Sequence, residues 1–255
     1  MYKSFVIFEA IRTKKGGGTA IAVHENLKPK LIEEYSDDFE ILVVEVKADK
    51  HDIRVISGYG PQENLEEDKR LPFFLALETE VEKATLAGKS IIIEIDANSK
   101  LGSKYIPSDP HDISPNGELL ADIIDRNNLI LGNGSQKCIG TVTRRRTTTN
   151  RTETSAIDVV MWSSDMNKHI VSVHIDEDRK HVLSKIYNTK NGVKVKESDH
   201  NTIVTEFDCK VSENKDEKKV EMYDLKDTES QAMFKAYTSG TNMFSSIFQN
   251  SSDKH

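Results

Sequence analysis

The sequence predicts an α+β sandwich, with two sheets packed face to face and helices on the outside. Three observations predict it. Short β-rich segments fill both the first third of the chain and the stretch from residue 129 to 207, only two segments repeat apolar residues at helical spacing, and these two alternate with strands.

Each element has its own signal. Thr19–Val23, behind the Gly16-Gly17-Gly18 run, Ile41–Val46 and Asp52–Tyr59 are β-rich and separated by polar or turn residues, so they read as consecutive strands. Over Glu66–Ala87, Leu71, Phe74, Leu75, Leu77, Val81 and Ala84 recur at roughly helical spacing and Gly88 marks the end, which places a helix after the loop Gly60–Asn64. Ser90–Ile95 is a buried strand. Leu101–Asn116, carrying Pro107, Pro110 and Pro115, reads as a loop, and Leu119, Leu120, Ile123 and Ile124 make Gly117–Asn127 the second helix. Strands return at Leu129–Leu131, Ala156–Trp162, His169–His174 and Thr202–Phe207. The domain is expected to span residues 1–209. Lys210–Glu221 mixes four positive with four negative residues and lacks apolar periodicity, a solvated linker. Residues 222–255 form a tail whose aromatic and aliphatic residues, from Tyr223 to Phe248, suit a docking helix or the start of a following domain.

Composition narrows the function classes. A net charge of −7 with 30% charged and 36% hydrophobic residues is that of an ordinary globular protein, and it argues against coating nucleic acid through bulk charge. Any DNA contact must therefore be local. The apolar runs Ile41–Val44 and Ser90–Ile93 end at Glu45 and Glu94, too short for a membrane span. Met1–Ala10 lacks the basic start and long apolar centre of a secretory signal, which leads to the expectation of an intracellular protein. Cys138 and Cys209 lie far apart with no CxxC pairing, so they read as inert thiols.

Four short constellations lie at strand ends: Gly58-Tyr59-Gly60-Pro61, Ile95-Asp96-Ala97-Asn98, Ser155-Ala156-Ile157-Asp158 and Ser198-Asp199-His200-Asn201. An Asp where a buried strand runs into a polar loop projects a partly desolvated carboxylate at the sheet rim, a good place for a base. Asp96-x-Asn98 taken alone is equally a turn. Asp158 follows an apolar strand start and precedes Val159-Val160-Met161, so a carboxylate buried there needs a histidine or a cation as partner. His200, between Asp199 and Asn201, has the layout of a proton-handling imidazole, though an isolated Asp-His also occurs as surface decoration. Tyr59 fits a core aromatic as well as a site residue. Arg144, Arg145, Arg146 and Arg151 stand among seven threonines between Thr141 and Thr154, either a dense set of phosphate-seeking donors or a solvated hairpin.

The order and separation of these motifs resemble the endonuclease/exonuclease/phosphatase superfamily, and within it the apurinic-type endonuclease domain of non-LTR retrotransposon polyproteins. The Gly-Gly-Gly-Thr-Ala-Ile entry and the Ser-Asp-His-Asn-Thr-Ile ending add to the likeness, which covers about residues 1–209. The resemblance implies a four-layer α/β/β/α sandwich and hydrolysis of a DNA phosphodiester with Mg²⁺ or Mn²⁺, leaving a 3′-hydroxyl that primes reverse transcription. It implies that Asp96 orients or deprotonates the attacking water, that Asn98 helps hold that water and the phosphate, and that Tyr59 contacts the phosphate. His200 then binds the scissile phosphate oxygen, Asp158 orients His200, and Asp199 and Asp96 lie at the metal. Arg144, Arg145, Arg146 and Ser155 are expected on the DNA.

Two departures stand out. Ile95 replaces the Gly that the family most often has before the Asp. The Asn-bearing and Glu-bearing strands with which the family begins do not precede Gly16–Gly18; Glu9, the only acidic residue before that run, is too close to Gly16 to be the metal-binding Glu. The resemblance therefore implies an N-terminally truncated domain, weak or inactive as an enzyme. The tail resembles the connector toward a reverse transcriptase domain in the same polyprotein, whose role implies the nucleus. The alternatives are a catalytically dead DNA-binding remnant and a phosphoesterase on small phosphate esters.

Overall fold

A computed structural model of the protein describes residues 5–11, 18–36, 39–48, 50–149, 151–189 and 192–208. The expected linker 210–221, the tail 222–255, Cys209, Gly16 and Gly17 lie outside the described residues.

The centre is a six-stranded sheet in the order β3-β4-β5-β6-β11-β7. Its strands are β3 (Lys30–Tyr35), β4 (Glu40–Ala48), β5 (His51–Tyr59), β6 (Ser90–Asp96), β7 (Leu129–Leu131) and β11 (Asp158–Ser163). The pair β5 and β6 is parallel and is joined through helix α1 (Glu67–Leu86), while β11 lies antiparallel on the other side of β6. Every residue of β6 is buried, as the run Ser-Ile-Ile-Ile-Glu-Ile-Asp leads one to expect of a strand covered on both faces.

Alternation along β6 sorts its side chains into two cores. Ile91, Ile93 and Ile95 pack with Phe73, Phe74, Leu77 and Val81 of α1 and with Leu120, Ile123 and Ile124 of α3 (Pro115–Arg126). The short helix α2 (Gly102–Tyr105) lies on this side as well, through Tyr105 and its neighbours Leu101 and Ile106. Ile92 instead faces the second layer, with Leu42, Val44, Val160 and Trp162 from neighbouring strands. That layer is an antiparallel pair, β1 (Phe5–Ala10) with β2 (Thr19–His24), and a three-stranded sheet, β15-β12-β8, of β8 (Cys138–Ile139), β12 (Ile170–Ile175) and β15 (Ile203–Phe207). Ala10, Ile21 and Val23 from the pair and Val173, Ile175, Ile203 and Phe207 from the sheet fill one continuous core. The two-sheet sandwich is thus as expected, and among the described residues helices cover one outer side of it. No helix among those residues is long and apolar enough to cross a membrane.

Several elements differ from the sequence reading. Phe5–Ala10, for which the sequence reading gives no element, is a strand, and Glu9 lies within it opposite Ala20. In α1 Phe74, Leu77, Val81 and Ala84 are buried as the spacing predicts and Phe73 joins them, whereas Leu75, two residues from Phe73 and Leu77 and so on the opposite side of the helix, is 53% exposed. Helix α3 begins at Pro115, which at the first turn needs no amide hydrogen, with Ser114 Oγ accepting from Gly117 N at 3.2 Å as its cap. Two hairpins project from the body: β9 (Arg144–Thr147) with β10 (Thr152–Ser155), and β13 (Ser184–Thr189) with β14 (Gly192–Glu197).

Candidate active site

Four chain segments converge at one rim of the sandwich. Parallel strands β5 and β6 end together, with Tyr59 in register with Asp96, and a loop follows each. The C-terminal ends of parallel strands form such a crevice because the chain must leave the sheet there. Antiparallel β11 starts at the same level, Asp158 standing opposite Asp96. Both carboxylates fall on the alternation that faces the second layer, the one that carries Ile92 on β6 and Val160 on β11. His200 arrives from the loop between β14 and β15.

Asp158 is fully buried, and both its oxygens accept from His200 Nδ1, at 2.9 and 3.0 Å. The other ring nitrogen, Nε2, faces Asp96 Oδ2 across 3.9 Å, beyond hydrogen-bond length. Ligand atoms of Asp96, Asp158 and His200 all lie within 4.8 Å of one another. Burial, then the neighbouring charge of Asp158, pushes the Asp96 carboxyl up to about 7. Burial pulls His200 down, but the charge and hydrogen bond of Asp158, with Asp96 and Asp199 behind it, outweigh that and raise the imidazole to about 9. The site therefore holds a cation clamped by one carboxylate and facing a second carboxyl poised near neutrality. Such a set can move a proton at Asp96 and present an N–H to an anionic oxygen.

The remaining candidates divide by what they touch. Asn98 sits at φ 44°, a left-handed position that Asn tolerates, and its backbone N donates to Asp96 Oδ1 at 3.1 Å. The turn reading of Asp96-x-Asn98 is thus realised, and the turn itself fixes one Asp96 oxygen. The Asn98 amide nitrogen donates to Gly60 O at 2.9 Å, tying the β5 and β6 loops together. Gly60 N in turn donates to Asp96 O at 2.6 Å, and a Cβ at Gly60 would stand 2.6 Å from Ala97 O, so only glycine fits. Asp199 accepts from Arg144 Nε at 2.9 Å; burial would raise it, but that bond and the charges of His200 and Arg144 hold it below the usual carboxylate range. Arg145 N donates to Asp199 O at 2.7 Å, and Arg144 bridges to His200, so the foot of the arginine hairpin is built into the site. Arg146 and Arg151 are exposed, Arg151 pairing with Glu153, and Ser155 is half-buried with its carbonyl accepting from Thr143 N at 3.0 Å.

Four buried polar residues to which the sequence assigns no role hold this frame. Thr143 Oγ1 accepts from Ile157 N and Asp158 N, each at 3.0 Å, fixing the start of β11. Asn133 extends the ladder beside it, donating to Asp158 O at 3.0 Å and accepting from Val160 N at 2.9 Å. Asn201 Nδ2 donates to Val142 O at 2.7 Å. Asn116 Nδ2 donates to Pro61 O at 2.8 Å and Asn98 O at 3.1 Å while its oxygen accepts from Arg70 at 2.8 Å, joining two loops to α1. Nothing in a single sequence separates these from ordinary turn residues. Glu94, on the same face as Asp96 and one step deeper, accepts from Thr205 Oγ1 at 3.1 Å, and burial raises it to about 7.

A divalent ion was expected at Asp96 and Asp199. The chemistry of the donors fits in part: Asp96 offers a buried oxygen whose charge is compensated across 3.9 Å by His200, whereas His200 Nδ1 is taken by Asp158 and one Asp199 oxygen by Arg144. Mg²⁺ is commonly held by one or two carboxylates, water and substrate phosphate, and this rim can supply that protein share.

The fold is that of the endonuclease/exonuclease/phosphatase structures. Among solved structures, the endonuclease domain of TRAS1, a telomere-specific non-LTR retrotransposon, is similar with a TM-score of 0.54 at 21% identity, over 84% of this chain and 83% of that one. The 3′ phosphatase NExo from Neisseria, bound to a product DNA hairpin, is similar with a TM-score of 0.54 at 14% identity, over 78% and 77% of the two chains. An endonuclease/exonuclease/phosphatase family protein from Bacteroides thetaiotaomicron gives 0.49 at 12% identity, over 78% and 73%. Neither a family model nor a curated protein matches the sequence.

Proposed function

We propose that the protein is a hydrolase of DNA phosphodiesters, an endonuclease of the retrotransposon type that nicks one strand and leaves a 3′-hydroxyl. The observation that carries this reading is His200, clamped by Asp158 and facing Asp96 across 3.9 Å at the open rim of the sandwich. In it, Asp96 takes a proton from the attacking water, the water oxygen bonds to phosphorus, and the P–O3′ bond breaks, so that the 3′ oxygen leaves and gains a proton. His200 donates Nε2–H to a non-bridging oxygen, where charge builds in the transition state. Asp158 keeps that imidazole charged and oriented, and the turn through Asn98 keeps Asp96 oriented. Tyr59, level with Asp96 at the end of β5, contacts the phosphate. A divalent ion at Asp96, with Asp199 nearby, would supply further neutralisation of the phosphate.

DNA is favoured over small phosphate esters by the arginine hairpin, because Arg144 and Arg145 are bonded to the Asp199–His200 segment itself. The likeness to the TRAS1 endonuclease domain and to the DNA-bound phosphatase NExo points the same way. The test is supercoiled plasmid incubated with the 255-residue chain and Mg²⁺ or Mn²⁺, alongside phosphate release from nucleotides and sugar phosphates. The reading expects slowly formed open circles whose nicks are extended by a DNA polymerase, slow because no candidate residue replaces the Glu that the resembled family uses at its metal. Phosphate release from the small esters without nicking would replace it with the phosphoesterase reading. A retrotransposon setting, with a reverse transcriptase in the same polyprotein, is the natural consumer of such a 3′-hydroxyl.

A further inference from the structure

The β13–β14 hairpin is not used by the site as described, and its construction asks for a partner. β14 is exposed along its whole length, Val193 at 66% and Val195 at 63%. A lone two-stranded ribbon is marginal in water, so one that projects with an uncovered face gains from a surface laid against it. Antiparallel register sorts its positions. Lys185 stands opposite Lys196 and Tyr187 opposite Lys194, whereas Ile186 stands opposite Val195 and Asn188 opposite Val193. Alternation along β14 puts Lys194 and Lys196 on one face of the strand and Val193 and Val195 on the other. Ser184–Glu197 holds four lysines and one glutamate in a chain of net charge −7.

Its root lies at the site. Ser198 N donates to Leu183 O at 2.7 Å, closing the hairpin one residue before Asp199 and two before His200. Arg179 stiffens this foot: its guanidinium donates to Ser198 O at 2.5 Å and to Asn201 Oδ1 at 3.0 Å and lies 3.8 Å from Glu197. Six residues of extended strand reach about 20 Å from that foot, roughly six base-pair steps of duplex.

We propose that this hairpin is a second DNA contact, distinct from the arginine hairpin, which lays Lys194 and Lys196 on backbone phosphates within about 20 Å of the scissile one. The inference rests on the DNA reading above. A phosphate backbone is the partner that matches a lysine face in an acidic protein, and it needs no base readout. Because β14 runs directly into Ser198, DNA held by the ribbon is held in fixed relation to His200.

The test uses the full chain and a fluorescent duplex in EDTA, with anisotropy measured over a range of salt. Four proteins are compared: the unmodified chain, Lys194→Ala with Lys196→Ala, Val193→Ser with Val195→Ser, and Arg144→Ala with Arg145→Ala and Arg146→Ala. Circular dichroism checks that each is folded. The lysine pair is expected to lower the slope of log K against log salt by about 1.8, two phosphates at about 0.9 each. The valine pair is expected to leave that slope unchanged. An unmodified chain that binds duplex, with an arginine variant that loses slope and a lysine variant that does not, overturns the hairpin inference alone. An unmodified chain that binds no duplex overturns the DNA reading and this inference with it. Weakening by the valine pair with none by the lysine pair also overturns it, and points to an apolar partner instead.

Discussion

The pairing of Asp158 with His200 sets the charge of the site, and Asp158→Asn tests it. His200 is held at about 9 against an ordinary 6.5, with both Asp158 oxygens on Nδ1 at 2.9 and 3.0 Å. That displacement corresponds to about 3 kcal/mol in favour of the imidazolium. The opposing influence is burial, since the side chain of His200 is only 13% exposed. Asn keeps the shape and can still accept from Nδ1 but removes the charge, so burial gains ground and only Asp96 and Asp199 remain to hold the proton. His200 is expected to titrate at least about 1 pH unit lower in the variant. The assay is a ¹H–¹⁵N titration of the imidazole rings in EDTA, with His200→Gln assigning the resonance among the eight histidines. A second measurement is the pH profile of nicking, whose alkaline limb should move down by about the same amount in the variant if the imidazolium stabilises the transition state. A His200 resonance with the same midpoint in both proteins refutes the reasoning, because the charge of Asp158 would then not be what holds the proton.

Other outcomes follow from the same geometry. His200, raised to about 9, contributes stability that is complete below 6.5 and lost as pH rises through 9; Glu94, raised from 4.5 to about 7, contributes likewise below 4.5 and loses it through 7. The metal-free chain should therefore lose urea resistance between pH 5 and 9, and Glu94→Gln should flatten the part below 7; a urea midpoint independent of pH would contradict both assignments. Asn116→Ala removes the bonds to Pro61, Asn98 and Arg70 and leaves buried groups unpaired, which should cost about 2 kcal/mol in urea unfolding; a midpoint within error of the unmodified chain would show that the junction carries no such burden. Gly60→Ala drives a methyl into Ala97 O and should lower nicking more than it lowers helical signal, read by circular dichroism beside the plasmid assay; full nicking would show that the loop moves without consequence.

Much of this architecture is legible in the residues. Ser90–Asp96 declares a strand buried on both faces, and the alternation within it places Asp96 on the side away from α1. Asp158 inside an apolar segment implies a histidine or a cation as partner, and the structure supplies His200. What escapes is of three kinds. Thr143, Asn116, Asn133 and Asn201 act through tertiary hydrogen bonds to backbone atoms far along the chain, and a lone Thr or Asn in a loop carries no mark of that. The β13–β14 hairpin carries a mark, Asn191-Gly192 between Lys-rich alternating segments, but its exposed valines give no clear inside and outside, so periodicity is weak there. β1 is hidden differently: Phe5–Phe8 is apolar enough for a strand, yet its partner β2 lies across the glycine run.

The central claim is that Asp96 and His200 together cut a DNA phosphodiester, and the rate of plasmid nicking by the unmodified chain, Asp96→Asn and His200→Ala at saturating Mg²⁺ or Mn²⁺ tests it most directly. The account predicts open circles from the unmodified chain, abolished by EDTA, and a fall of at least about 100-fold in each variant with circular dichroism unchanged. Nicking of equal rate in all three folded proteins, or none from the unmodified chain at any divalent concentration, would contradict it.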